Sequence, residues 1–520
     1  MNTRRYTAHD YLALLTLALL ALALAASMAW FVTERIPHLE DEITYLFQAR
    51  TYARGALWAP PPPVPRSFFT PFVLTLNGRR IGKYAIGWPM LLAPGERVRA
   101  GWLVNPLLGG LTVALIYALG RDLYDRQIGI LAGVLASTSP FFLIQSSTYM
   151  SHAASCLWST LLMWAMLRVD MARDSGGRGR GWALAGGLAL GMLALTRALT
   201  AAAVFLPFAI LLLGRALRRP ADVPALVGTY WPMAVAALLV ASLQPLYLYI
   251  VTGSPTTNLY TMVWPYDRIG FGPGIGPNEG HTLRQALFTA RQDLTLWTSE
   301  LFGWPYASWL FLLPGLVSGV REGDPRRRVW PFLLLAPFVS LVVVYLAYWV
   351  GAQVYGPRYY YEGLAGLCLL SALGLRGVVQ LLHRGLTRRR RGAAEGIVSR
   401  SRLVYGALGA LIALNAAVYL PARLSEWHGL YSITRAPIER LEEIRESDRV
   451  LVFVRGRHWV QYGALFSLNS PWLDGPVVVA HDISPEHNAA VRELFPEREV
   501  WYYSEGSFSK EPLPYPDEGS

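Results

Sequence analysis

The residues best equipped for chemistry lie a few positions beyond the first apolar run, in His38-Leu39-Glu40-Asp41-Glu42. Three consecutive carboxylates this close to a membrane face are either solvated or engaged, and solvation is the plain reading of such a cluster taken alone. Here Ile43, Leu46, Phe47 and Ala49 continue with helical spacing toward Gly55, and Pro-rich, aromatic sequence follows in place of a plain linker. Asp41 and Glu42 could hold a divalent metal, but no further clustered ligands demand one. The two cysteines, Cys156 and Cys368, form neither a CxxC pair nor a disulfide framework. His152, in Tyr149-Met150-Ser151-His152, opens a later apolar run and could contact a ligand, although water satisfies an interfacial histidine equally well. Residues 270–280 read GFGPGIGPNEG; they follow no strand, open no helix and contain two prolines, which rejects a dinucleotide fingerprint. Trp264, Tyr266 and His281 flank this loop and could stack on a ligand or belong to an interfacial aromatic belt.

The elements that must position these residues are membrane helices. Of the 520 residues 53% are hydrophobic and 16% charged, with a mean hydropathy of +0.30, whereas soluble domains carry about 25% charged residues. The apolar residues come in long unbroken runs. The net charge of +12 is no nucleic-acid signature, because it sits in short arginine clusters between those runs; Lys83 and Lys510 are the only lysines. At roughly 20 apolar residues per crossing, eleven spans are predicted: 11–32, 101–120, 128–145, 151–167, 182–196, 199–213, 227–251, 306–320, 330–350, 359–382 and 403–420. The first is longer than a signal-peptide core and reads as an uncleaved helix.

With the N-terminus inside, segments 1–10, 121–127, 168–181, 215–226, 321–329 and 383–402 are cytoplasmic and together hold 22 arginines, while the long opposite loop 252–305 holds three. This is the positive-inside asymmetry, and it predicts a multi-pass plasma-membrane protein. The run Arg388–Arg391 fits topology determination and anionic-lipid contact. Arginines flank 182–213 on both sides, so this stretch crosses twice and turns near Arg197 at the outer face. Outside lie the loops 33–100 and 252–305 and the segment after 421. Residues 1–421 are thus predicted as an all-α transmembrane domain, 422–505 as a small extracytoplasmic α/β domain, and 506–520 as a disordered tail. Within the α/β domain, helices are predicted at 437–446 and 485–494 and strands at 450–454, 477–480 and 500–503.

Asp41-Glu42, then Tyr45, then Gln48-Ala49 resembles the first outer loop of the GT-C membrane glycosyltransferases, within them most closely family 39, the protein O-mannosyltransferase and aminoarabinose-transferase group. Lys83-Tyr84-Ala85-Ile86-Gly87-Trp88-Pro89 is similar to the PPG-W/Y-P-L element of that loop, with Ala85-Ile86 in place of two prolines. Gly356-Pro357-Arg358-Tyr359 looks like a late motif of bacterial members. The resemblance covers about 11–382 in layout and three short stretches in residues. It implies sugar transfer from a polyprenyl-phosphate carrier to an acceptor hydroxyl of a lipid, glycan or protein, with inversion and no required cofactor. Such a donor already carries a good leaving group, so the reaction needs a base for the acceptor proton and positive charge for the departing phosphate. By resemblance Asp41 is the base, and Glu42 orients the acceptor or tunes Asp41. Arg358, Arg197 and Lys83, with Tyr359 beside them, are the candidates for the phosphate, Arg79-Arg80 less so; a guanidinium fork suits phosphate, and snorkelling to headgroups is the alternative for each. Glu40, Tyr45, His152, Trp264 and His281 are candidates for acceptor contact or support.

Two other classes compete. An O-antigen-type polymerase or ligase would carry its large outer loop late in the chain, whereas the acidic loop here follows the first helix. A transporter would carry mid-span charges and repeated halves; mid-span ionisable residues are few here, and no repeat is visible.

Overall fold

The computed structural model describes residues 6–322, 328–351, 353–387, 396–456, 458–512 and 514–515. The run Arg388–Arg391 and the extreme tail 516–520 lie outside the described residues. Most of the chain is helical. Six helices among the described residues are long and apolar enough to cross a membrane: Ala8–Phe31, Gly101–Leu123, Ala198–Arg218, Pro220–Thr252, Arg358–His383 and Arg402–Ser432. Four shorter apolar helices accompany them.

Helix α1 (Ala8–Phe31) is followed by α2 (Glu40–Ala53), as the helical spacing predicts. Next comes a β-hairpin, β1 (Val73–Leu76) and β2 (Arg79–Gly82), turned at Asn77-Gly78, where both residues have positive φ. Asn-Gly is the pair a two-residue hairpin favours. Helix α3 (Gly87–Arg97) leads to α4 (Val104–Leu123), which packs along α1.

The predicted span 128–145 is broken into α5 (Arg126–Ser137) and α6 (Pro140–Gln145). Pro140 lacks the N–H that would continue α5, and Ser139 Oγ caps α6 by accepting from Phe142 N at 3.1 Å. Helices α7 (His152–Asp174), α8 (Arg180–Thr196) and α9 (Ala198–Arg218) follow, the last two meeting at Arg197. The span 227–251 bends at Ser242, between α10 (Val223–Ala241) and α11 (Leu243–Thr252), because Pro245 cannot bond the Ala241 carbonyl.

The loop 252–305 contains α12 (Leu259–Val263) and α13 (Leu283–Glu300). Helix α13 opens on a capping box in which Thr282 Oγ1 accepts from Gln285 N and Gln285 Oε1 accepts from Thr282 N at 2.8 Å. The span 306–320 becomes α14 (Leu312–Glu322), residues 306–311 forming turns. Then come α15 (Trp330–Tyr345), α16 (Leu364–Thr387), α17 (Gly396–Leu414) and, after a π-turn at Asn415–Tyr419, α18 (Leu420–Trp427).

Beyond α18 stand α19 (Ala436–Ile444), β3 (Val450–Val454), α20 (Trp459–Phe466), β4 (Val477–His481), α21 (Pro485–Leu494), β5 (Glu499–Ser504) and β6 (Ser507–Ser509). The sheet order is β4-β3-β5-β6. β3 pairs parallel with both neighbours and is wholly buried, as its unbroken apolar run requires. Of the stretch 506–520 expected to be disordered, Ser507–Ser509 form strand β6, which pairs antiparallel with β5 and whose end is tied by Lys510 Nζ to Glu499 Oε1 at 2.5 Å. This sheet rests on the loop 33–100. Ile36 and Ile43 share its core with Val450, Trp459 and Trp501, and Trp459 Nε1 donates to the His38 carbonyl at 3.1 Å.

Candidate active site

Four stretches of chain distant in sequence converge on a cavity of about 970 Å³: the first turn of α2, residues 83–85, the α8–α9 turn and the residues leading into α16. Asp41 and Glu40 line it from α2. Tyr84 Oη donates to Asp41 Oδ1, and the Tyr84 ring packs 4.5 Å from that of Tyr45, whose Oη lies 3.4 Å from Ser151 Oγ. The Asp41 carboxylate is therefore held by one oxygen, and Oδ2 accepts no hydrogen bond from a described residue.

Lys83 Nζ sits 3.6 Å from the centroid of the Phe72 ring and 4.6 Å from that of Trp264. Burial lowers its pKa, against the opposing pull of Asp41, Asp267 and Glu40. A partly desolvated ammonium of this kind binds an incoming anion more strongly than a hydrated one.

Arg197 interrupts the helical path between α8 and α9 with φ −150° and ψ 87°. Its Nη1 donates to His152 Nε2 at 3.3 Å and its Nη2 to Tyr345 Oη at 3.1 Å, while Nε lies 3.7 Å from Glu362 Oε1. Glu362 is fully buried. Arg358 donates Nη1 to the Val354 carbonyl at 3.0 Å, and its buried Nε has no acceptor. Tyr359 lies between the two guanidinium groups, 5.4 Å from Arg197 and 5.9 Å from Arg358.

The scaffold beneath is tightly bonded. Trp88 Nε1 donates to the Tyr149 carbonyl, and Asn105 Nδ2 to those of Thr148 and Met150, which fixes the turn delivering Ser151 and His152. A Cβ on Gly87 would stand 2.7 Å from the Leu195 backbone. This close approach sets the start of α3 against the end of α8 and so brings Lys83 and Arg197 to one cavity.

Of the residues singled out in the sequence, Asp41, Glu40, Tyr45, Lys83, His152, Arg197, Trp264, Arg358 and Tyr359 line the cavity. Glu42 does not. It is 1% exposed and accepts from His38 N at 2.8 Å, Leu39 N at 3.0 Å and Tyr149 N at 2.7 Å, so it caps α2 and ties it to the residues before α7. Direct acceptor contact by Glu42 is corrected accordingly; what remains is its charge coupling to Asp41.

His281 is also elsewhere: it stacks on Phe271 and bonds the Leu346 carbonyl at 2.9 Å, pinning the glycine-rich loop. Arg79 packs over Trp58, and Arg80 bonds the Phe68 carbonyl at 3.2 Å; neither lines the cavity.

The sequence reading missed Asp267, Tyr348 and the wall formed by Tyr431, His458 and Trp459. Asp267 had a visible signal, an acid directly after Trp264-Pro265-Tyr266. Burial raises its pKa, and Trp349 Nε1 donates to it at 3.2 Å. The wall residues had none, because their contact with the first loop spans some 400 positions of chain. Among the described residues no three His, Cys, Asp or Glu side chains cluster as metal ligands would.

A family model, dolichyl-phosphate-mannose-protein mannosyltransferase, matches residues 81–249. The match takes in Lys83, Trp88-Pro89, His152 and Arg197, but begins after Asp41 and ends before Arg358. ArnT from Cupriavidus metallidurans bound to undecaprenyl phosphate is similar in structure, with a TM-score of 0.50 at 14% identity over 95% of this chain and 90% of that one. Its apo structure gives a TM-score of 0.53 at 14% identity over 92% and 88%. No curated protein matches by sequence. The family model thus matches about a third of the chain, and the likeness to the ArnT structures is one of fold.

Proposed function

We propose that this protein transfers a sugar from a polyprenyl-phosphate carrier to an acceptor hydroxyl on the extracytoplasmic face of the plasma membrane. The observation that carries the reading is the meeting in one cavity of a single-tethered carboxylate, Asp41, with three cations, Lys83, Arg197 and Arg358. Undecaprenyl phosphate bound to the similar ArnT fold supports a carrier of this class.

The acceptor oxygen attacks the anomeric carbon as the bond from that carbon to the phosphate oxygen breaks, with inversion, and Asp41 takes the acceptor proton. Negative charge grows on the departing phosphate. Arg197 and Arg358 receive it with fixed N–H groups, and Lys83 with a desolvated ammonium. His152 holds Arg197 in place, and Glu362 offsets its charge from below. The aromatic lining, which includes Trp264 and Tyr348, offers rings for the sugar. No cofactor enters this scheme.

The framework is eleven crossings with the N-terminus in the cytoplasm, so that Asp41, the cavity and the C-terminal α/β domain from 422 all lie outside. Arginine distribution supports this arrangement.

The test is sugar transfer from polyprenyl-phosphate donor in membranes, with donor binding measured separately. Asp41→Asn is expected to lower transfer by about 10²–10⁴-fold, the usual contribution of a general base, with donor binding retained. Arg358→Lys is expected to retain more transfer than Arg358→Ala, because charge survives and only the fork is lost. Normal transfer by Asp41→Asn would place the base elsewhere.

A further inference from the structure

We propose that a second cavity, of about 870 Å³, binds the phosphate of an anionic lipid headgroup at the outer leaflet. It lies at the far end of α2 from Asp41. Arg50 and Arg54 line it, and nine to thirteen helical residues at about 1.5 Å each put them roughly 13–20 Å along the axis. Arg97 and Arg99 from the end of α3, Arg35 from the turn after α1, and Arg435 complete its basic lining, against the single carboxylate Glu96 among the lining residues.

Two of these arginines are spent within the protein. Arg50 Nε bonds Glu96 Oε2 at 2.8 Å and its Nη1 bonds the Ser467 and Asn469 carbonyls, while Arg54 grips Asp474 at 2.7 and 2.9 Å. Arg435 has Glu439 at 3.4 Å. Arg35, Arg97 and Arg99 have no carboxylate in ion-pair contact among the described residues. The lining therefore carries uncompensated positive charge. Like charges confined together repel one another, and an anion between them removes that cost. Arg35 records the strain on such a site: its backbone is left-handed at φ 61°, its buried Nε has no acceptor, and burial with the charge of Arg435 holds its guanidinium below the usual arginine range.

The rim of the cavity points to a lipid as the source of the anion. The Arg35 guanidinium stacks 3.6 Å over Trp30, the Trp30 ring stands 5.5 Å from that of Trp102, and Trp102 itself lines the cavity. Trp30 and Phe31 are exposed where apolar α1 ends, and Leu107 and Leu111 are exposed on neighbouring α4. Tryptophan beside an apolar helical face marks the headgroup level. A phosphate in the cavity would leave its acyl chains against α1 and α4. The choice of leaflet rests on the proposed orientation; the transfer reading is not otherwise used.

The experiment equilibrates the full chain in detergent with equal cardiolipin and phosphatidylcholine and reads retained lipid by native mass spectrometry. The wild type is expected to retain cardiolipin selectively. Arg97→Gln/Arg99→Gln is expected to lose that preference by roughly tenfold, as two interfacial charges allow. Arg99→Gln alone, at a side chain with no hydrogen bond to a described residue, should lose part of it and guards against a fold defect in the double variant. Arg66→Gln, an exposed arginine away from the cavity, should change nothing. Asp41→Asn should keep the preference even where it abolishes transfer, so the two readings fail separately. Equal retention by the wild type and the double variant would overturn the proposal. Inorganic phosphate competing at the same concentration as cardiolipin would overturn its assignment to a lipid.

Discussion

Asp41 and Glu42 are neighbours in sequence and opposites in environment, because one step along a helix turns a side chain by about 100°. Asp41 faces the cavity, whereas Glu42 turns under α2 to accept three backbone N–H groups. The sequence announces that acids are present, but a run of three cannot say which one faces the ligand. Burial, the largest influence, raises the Glu42 pKa from its ordinary 4.5 to about 7, against the lowering effect of those N–H groups. Between these values the folded protein binds a proton that the unfolded chain does not. That contribution to stability is full below pH 4.5 and is lost as pH rises through about 7. Thermal melting in detergent should therefore show the wild type losing stability relative to Glu42→Gln from pH 4.5 to 7. A pH-independent difference would mean that Glu42 does not titrate there. Transfer per folded molecule should fall far less in Glu42→Gln than in Asp41→Asn, since Glu42 does not reach the cavity.

The elements that position the site differ in how readily they are read. Helix α2 was legible from the spacing of Ile43, Leu46 and Phe47, and β3 from its unbroken apolar run. The hairpin at Asn77-Gly78 and the cap at Thr282–Gln285 are equally present in the sequence, but lie between membrane spans that dominate the hydropathy. The break before α6 was hidden by an apolar run that continues through it. Gly87 belongs to a third kind, for its need is set by a partner more than a hundred residues away. A Cβ there meets the backbone of Leu195 at 2.7 Å and Thr196 N at 2.9 Å, neither of which can swing aside. Gly87→Ala must separate α3 from α8, at a cost of about 1–3 kcal/mol for overpacking, and with them Lys83 from Arg197. Donor affinity should drop while Asp41 and the acceptor side stay intact, so the variant should show a raised KM for donor. Unchanged donor binding would mean that the approach serves packing alone.

The loop 33–100 and the C-terminal sheet form one body around the cavity. Trp459 bonds the His38 carbonyl, Arg435 N donates to Glu34 Oε2 at 2.7 Å, and His481 Nε2 lies 3.2 Å from the Phe69 carbonyl. Whatever side of the membrane holds Asp41 must therefore hold the sheet, a constraint that follows from the packing without any appeal to charge. The arginine distribution supports the outer side in the orientation proposed above. Single cysteines test both steps, against a low background because Cys156 and Cys368 are buried. Thr75→Cys on the hairpin and Glu486→Cys on α21 occupy exposed positions on the two halves of this body, and Ser175→Cys occupies an exposed position in a predicted cytoplasmic segment. A membrane-impermeant thiol reagent should label the first two in intact spheroplasts and the third only after permeabilisation. Labelling of Thr75→Cys and Glu486→Cys from opposite sides would break the shared wall of the cavity. Labelling of all three in the reverse order would leave that wall standing and invert the protein, moving sugar transfer to the cytoplasmic face.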